Sequence, residues 1–158
     1  MNRLFYISVL GATMMSFAPG PTTGGGAATT QKMTAKELLL AYLSNIQNPQ
    51  KVADLFAEDG AFEMPYFASV GFPTRYAGKE QIVGMITGLL KQAPTFKFIN
   101  IKILIETPDQ VFAEYEVDTF FNGKPYKQLY MGRLVARDGK IVLIREACDT
   151  AVIEKMKG

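Results

Sequence analysis

Glu146 is the acidic side chain whose surroundings least resemble those of an ordinary surface charge. It lies in residues 141–148, IVLIREAC, a run that reads as a β-strand with side chains alternating between two faces. Alternation puts Val142, Ile144, Glu146 and Cys148 on one face, and Ile141, Leu143, Arg145 and Ala147 on the other. A carboxyl among apolar neighbours is desolvated, which favours its neutral form. Its pKa then moves toward the range useful for a general acid or base near neutrality. Two roles fit that environment: a proton-transferring group in a pocket, or a structural glutamate bonded to a buried tyrosine or to an arginine across the sheet.

Other chemistries are removed by composition. The chain has no histidine, so histidine bases, Ser-His-Asp triads and most zinc or iron sites are absent. Cys148 is the single cysteine and cannot form an internal disulfide; its apolar strand marks it as a buried, inert thiol. The net charge of +2 is carried by Arg3 and Lys32, and from Met33 onward 15 basic residues balance 15 acidic ones. The basic face that nucleic-acid binding requires is therefore missing, and no nucleic-acid partner, metal or cofactor is expected.

Residues 1–32 differ from the rest. Asn2-Arg3 precedes a 14-residue apolar run at 4–17, followed by the low-complexity stretch APGPTTGGGAATT at 18–30. The run falls short of the roughly 18 residues that suggest a membrane span, so no stable span is expected. Its layout predicts a secretory signal peptide and linker, placing the protein in the periplasm or outside the cell. The alternative is an extension ahead of a true start at Met33, which leaves the protein in the cytoplasm. Either way, residues 33–158 form the folded domain.

That domain opens with TAKE at 34–37, a capping box, and Leu38, Leu39, Tyr42, Leu43 and Ile46 then recur at helical spacing. Pro49 suits the first turn of a second helix carrying Val52, Leu55 and Phe56 and ending at Glu58-Asp59-Gly60. A short strand at 61–66, a loop at 68–78 and a third helix at 79–91 follow. Four strands are predicted at 96–106, 111–121, 125–136 and 141–148. Asn122-Gly123 and Asp138-Gly139 supply tight hairpin turns. Within 111–121, Val111, Ala113, Tyr115, Val117 and Thr119 share one face and Glu114, Glu116 and Asp118 the other. Residues 150–156 close the chain as a short helix. The pattern is α+β: three N-terminal helices packed on a curved antiparallel or mixed sheet.

Three stretches, VADLFAEDGAFEMP at 52–65, RYAGKEQI at 75–82 and VARDGKIVLIREACD at 135–149, carry a resemblance to a known superfamily. Across residues 34–157 the chain resembles the NTF2-like superfamily, which includes ketosteroid isomerases, limonene-epoxide hydrolases, and the SnoaL-like and phenazine-biosynthesis proteins. The D-G-K-I and R-E elements resemble SnoaL-like members in particular. The resemblance implies a cone-shaped fold and an apolar pocket between the concave sheet and the helices. It also implies a hydrophobic small-molecule ligand and a homodimer formed through the sheet's other face. Fold similarity of this kind does not fix the chemistry.

Carried over residue by residue, the ketosteroid isomerase machinery is incomplete. The position of its base aspartate is Met64, and that of its protonated aspartate falls near Gly132; the tyrosine of its first helix has a counterpart in Tyr42. Glu63 stands next to Met64, but alternation points it away from the pocket. The acid in the R-E pair of phenazine-biosynthesis proteins matches Glu146. Asp149 matches an acid common in SnoaL-like sequences, and also suits the N-cap of the last helix.

The implied substrate-binding set is Tyr42, Phe62, Met64, Tyr66, Tyr130 and Gly132, with Glu146 as the catalytic candidate. Phe67 and Phe72 extend the apolar mouth or belong to the core. Tyr115 suits either the cavity or the dimer face. Arg75 meets an anionic ligand or a surface ion pair, while Arg133 and Arg145 belong outside. The expected function is that of a small-molecule protein of isomerase or hydrolase type. The alternative is a non-catalytic ligand-binding protein or dimeric scaffold.

Overall fold

A computed structural model of the chain describes residues 32–157. The segment read above as a leader lies, but for Lys32, outside the described residues. The helices are α1 (Ala35–Ser44), α2 (Pro49–Ala53), α3 (Lys79–Gln92) and α4 (Thr150–Met156), with a 3-10 helix at Pro65–Val70. The strands are β1 (Phe56–Glu63), β2 (Arg75–Ala77), β3 (Ile99–Glu106), β4 (Gln110–Phe121), β5 (Lys124–Arg137) and β6 (Lys140–Cys148). All six form one open sheet in the order β2-β1-β6-β5-β4-β3, in which β1 runs parallel to β6 and every other pair is antiparallel. The α+β class and the mixed sheet are those expected from the sequence.

Local chemistry accounts for most boundaries. Thr34 Oγ1 accepts from the Glu37 amide at 3.3 Å while the Glu37 carboxylate accepts from the Thr34 amide at 2.8 Å, the reciprocal capping box. Asp149 caps α4 by accepting from the Ala151 amide at 2.8 Å. At the two hairpins, Asn122, Gly123, Asp138 and Gly139 take φ angles of 50°, 79°, 55° and 73°, as a two-residue turn matched to strand twist requires. Inside, Leu38, Leu39 and Leu43 of α1 and Ile82 and Ile86 of α3 pack toward a sheet face carrying Val117, Leu134 and Ile144. Burial of each such aliphatic side chain contributes about 1.5–3 kcal/mol before entropy is counted.

Three expectations need correction. The second helix ends at Ala53, and Phe56 begins β1, where it pairs with Ile141 and is fully buried. The predicted loop at 68–78 contains part of the 3-10 helix and the edge strand β2, three residues being too few to show alternation. Ile141 points into the core rather than outward with Arg145. The cause is a bulge: Val135 pairs with Leu143 but Ala136 with Ile141, leaving Val142 as an extra residue that reverses the parity before it. Beyond the bulge the alternation holds, with Ile144 and Glu146 buried and Arg145 exposed.

Candidate functional site

The cavity is built around Glu146. The residue is 3% exposed, and its carboxyl receives two phenolic hydrogens, from Tyr115 of β4 at 2.5 Å and from Tyr42 of α1 at 3.2 Å. Both reach the same oxygen, Oε1. Among the described residues the other, Oε2, accepts no hydrogen bond, yet no fully buried side-chain oxygen there lacks a partner. Oε2 therefore keeps contact with the cavity that Glu146 lines. Burial pushes the Glu146 pKa up to about 7, and the two tyrosine hydrogen bonds oppose that rise. Burial and the nearby Glu146 charge hold both tyrosines well above their usual pKa of 10, so they stay protonated donors. A proton taken up by Glu146 then resides on Oε2, facing the cavity.

Gly132 explains how Tyr115 reaches the acid. It pairs with Glu146 across β5–β6 and with Ala113 across β4–β5. A Cβ at this position would lie 2.0 Å from the Tyr115 hydroxyl oxygen, so the phenol occupies the space a side chain would fill. Gly132 is thus covered by Tyr115 and is not part of the cavity wall, contrary to its sequence-based assignment. Tyr115 itself is fully buried on the concave side, not on the outer face.

The cavity has a volume of about 800 Å³. Phe62 and Met64 form one wall, Phe67 and Phe72 the turn side, Met85 and Leu89 the α3 side, and Ile153 and Met156 of α4 close over it. Phe98 is the aromatic hub: its ring centroid lies 5.0 Å from Tyr115, 5.2 Å from Phe96, 5.8 Å from Tyr130 and 5.9 Å from Tyr42. The first three contacts are edge-to-face, a favoured geometry for aromatic pairs.

Residues 39–144 match the SnoaL-like domain family. The chain belongs to this family. It is 32% identical over 108 residues to the uncharacterised protein YesE of Bacillus subtilis strain 168, covering 66% of this chain and 73% of that one. Among solved structures it is similar to a candidate isomerase from Bacillus subtilis, at 28% identity and a TM-score of 0.69, over 77% of this chain and 91% of that one. It also shares its fold with a phenazine biosynthesis-related protein of Pseudomonas aeruginosa, at 21% identity and a TM-score of 0.63, over 77% and 83% of the two chains. The architecture is that of the NTF2-like cone.

In this SnoaL-like domain Tyr42, Phe62, Met64, Tyr130 and Glu146 converge on one cavity. Tyr66 does not join them: it is 64% exposed, because the 3-10 turn directs it outward while the next residue, Phe67, faces in. Arg75 lines the mouth but forms an ion pair with Glu63, whose second oxygen meets Arg145 at 2.7 Å. Arg133 and Arg145 are exposed on the outer face. Burial pushes the Cys148 thiol up to about 12, which keeps it protonated and unreactive.

Sequence reasoning missed Tyr126, Phe98 and the bond from Tyr115 to Glu146. Tyr126 was recoverable, since it shares strand parity with Tyr130 and Gly132. Phe98 was not, because it precedes β3 in irregular backbone. Among the described residues, no helix is long and apolar enough to cross a membrane.

Proposed function

We propose that this SnoaL-like domain binds an apolar small molecule and transfers a proton to or from it through Glu146. One observation carries the reading: a carboxyl with a pKa raised to about 7 presents an uncommitted oxygen to an aromatic-lined cavity. As a base, Oε2 takes a proton from a ligand carbon or from a water; as an acid it returns that proton to a carbon or an oxygen. Tyr42 and Tyr115 hold the carboxyl in place and stabilise its ionised form through Oε1. Isomerisation and epoxide or ester hydrolysis are both compatible with this single group.

The test is isotope transfer. The protein and its Glu146→Gln variant are incubated with cyclic enones and epoxides in deuterium- or oxygen-18-labelled water, and products are weighed by mass spectrometry. Label incorporation by the parent, reduced at least about 100-fold in the variant, supports the reading. Undiminished turnover in Glu146→Gln would remove this residue from the chemistry.

A second reading, non-catalytic ligand binding, is favoured by one feature. Glu146 is the sole carboxylate among the described residues lining the cavity, so acid and base roles are not divided between two carboxyls. Ligand binding with no label incorporation would select it.

Two further expectations belong to the same proposal. Exposed Phe120, Leu129 and Met131 on the outer sheet face support a homodimer, which sedimentation equilibrium would deny by returning the monomer mass. The apolar run at 4–17 supports export, and a cell-associated protein retaining that run would deny it.

A further inference from the structure

The cavity holds a second polar focus besides Glu146. Tyr126 and Tyr130 both line it, and their hydroxyl oxygens lie 2.6 Å apart. Tyr130 also stacks on Tyr115, with centroids 6.0 Å apart and planes 14° from parallel. Each phenol carries one hydroxyl hydrogen. Tyr42 and Tyr115 commit theirs to Glu146. In the Tyr126–Tyr130 pair, one hydrogen makes the short contact and the other has no acceptor among the described residues.

Burial raises both tyrosines above their ordinary pKa, so neither hydrogen is lost near neutrality. Either hydroxyl can donate in the 2.6 Å contact, and the free hydrogen is then carried by the other. The neighbouring Gln128 side chain is engaged elsewhere, with Nε2 donating to the Asp149 carbonyl at 2.9 Å and Oε1 accepting from the Asp149 amide at 3.2 Å.

We propose that the Tyr126–Tyr130 pair is a ligand subsite that takes a hydrogen-bond-accepting oxygen, above all a carbonyl, borne on an apolar ring system. A buried hydroxyl hydrogen without a partner is costly, so a ligand oxygen that accepts it gains the bond that the protein leaves unmade. The proposal rests on the ligand-binding part of the reading above, but not on proton transfer by Glu146.

The test compares 9-fluorenone with fluorene, ring systems that differ in the presence of one carbonyl oxygen. Their affinities are measured by equilibrium dialysis against the parent protein, Tyr126→Phe, Tyr130→Phe and the double variant. The parent is expected to bind fluorenone about tenfold more tightly than fluorene, the scale of one good hydrogen bond. Each single variant still holds one free hydroxyl hydrogen and keeps part of that preference. The double variant loses it while binding fluorene as before, which also reports that the cavity is intact. The carbonyl stretch of bound fluorenone should lie lower in the parent than in the double variant. Equal affinities in the parent, or a preference surviving the double substitution, would overturn the subsite alone. Failure of the parent to bind either probe would overturn the ligand cavity, and the subsite with it.

Discussion

Glu63 and Glu146 sit on adjacent strands and in opposite worlds. Glu63 ends β1, pairs in register with Arg145, and gives one carboxylate oxygen to Arg145 and the other to Arg75. Partial burial pushes its pKa up, but the hydrogen bonds and charges of the two arginines outweigh this and leave it below the usual carboxylate value. Glu146 directly follows Arg145, and the strand pleat turns it to the other face. There two phenols donate to it, no cation among the described residues pairs with it, and its pKa rises to about 7. Residue type is the same; the difference is what each face of the sheet offers. A guanidinium neutralises a carboxylate outright, whereas a phenol lends only a hydrogen bond, which leaves the carboxyl close to the point of protonation.

Removing the charge of Glu146 should give the largest effect. Its folded pKa of about 7 lies above the ordinary value of 4.5, so between these limits the folded protein retains a proton that the unfolded chain releases. Stability from this group is therefore greatest below the lower value and falls as pH rises through the higher one. The gap corresponds to about 3 kcal/mol. Urea denaturation of Glu146→Gln across pH 5 to pH 8 should show a flattened profile and a gain approaching that size at the alkaline end. A profile parallel to the parent's would mean that Glu146 is not desolvated in the folded protein.

Filling the slot beside Tyr115 comes next. Gly132→Ala places a methyl 2.0 Å from the Tyr115 hydroxyl and must drive it off Oε1. Overpacking of this kind costs about 1–3 kcal/mol. Loss of the 2.5 Å donor should also raise the Glu146 pKa above about 7, as read from the carboxyl stretch in an infrared pH titration. Tyr115→Phe should reproduce the pKa rise without the overpacking, and Tyr42→Phe should give a smaller one, its bond being longer at 3.2 Å. If Gly132→Ala destabilises but leaves the titration unmoved, the glycine serves packing alone.

The outer glutamate should matter least. Glu63→Gln breaks contacts to two arginines that are each about half exposed, so a loss of about 1 kcal/mol or less is expected. Because the Glu63 pKa is lowered, its contribution is present above the ordinary value and disappears as pH falls through the folded one, a window more acidic than that of Glu146. The Glu146 titration should not move. A shift there would show that the two faces are electrostatically coupled through the sheet.

Much of this arrangement was written locally. The Thr34–Glu37 box, the Asn122-Gly123 and Asp138-Gly139 turns and the Asp149 cap act within a few residues, so they could be read before any tertiary contact was known. Alternation in β6 likewise assigned Glu146 and Arg145 to opposite faces, because a strand's period of two is a property of its backbone. The parity of Ile141 was misread, since a bulge at Val142 depends on how β6 meets β5. β2 and the outward turn of Tyr66 depend in the same way on pairing and on a single 3-10 turn.

The sequence by itself determined that a carboxyl would stand among apolar residues on an inner strand face, because side-chain type and strand period are local. Only the tertiary structure decided what that carboxyl does. Tyr42 is 104 positions away in the chain and Tyr115 is 31, and both meet Oε1 only when α1 folds over the sheet and Gly132 leaves room on β5. The protonation of Glu146 depends on those distant partners and on the water they exclude, and no spacing along the chain encodes either.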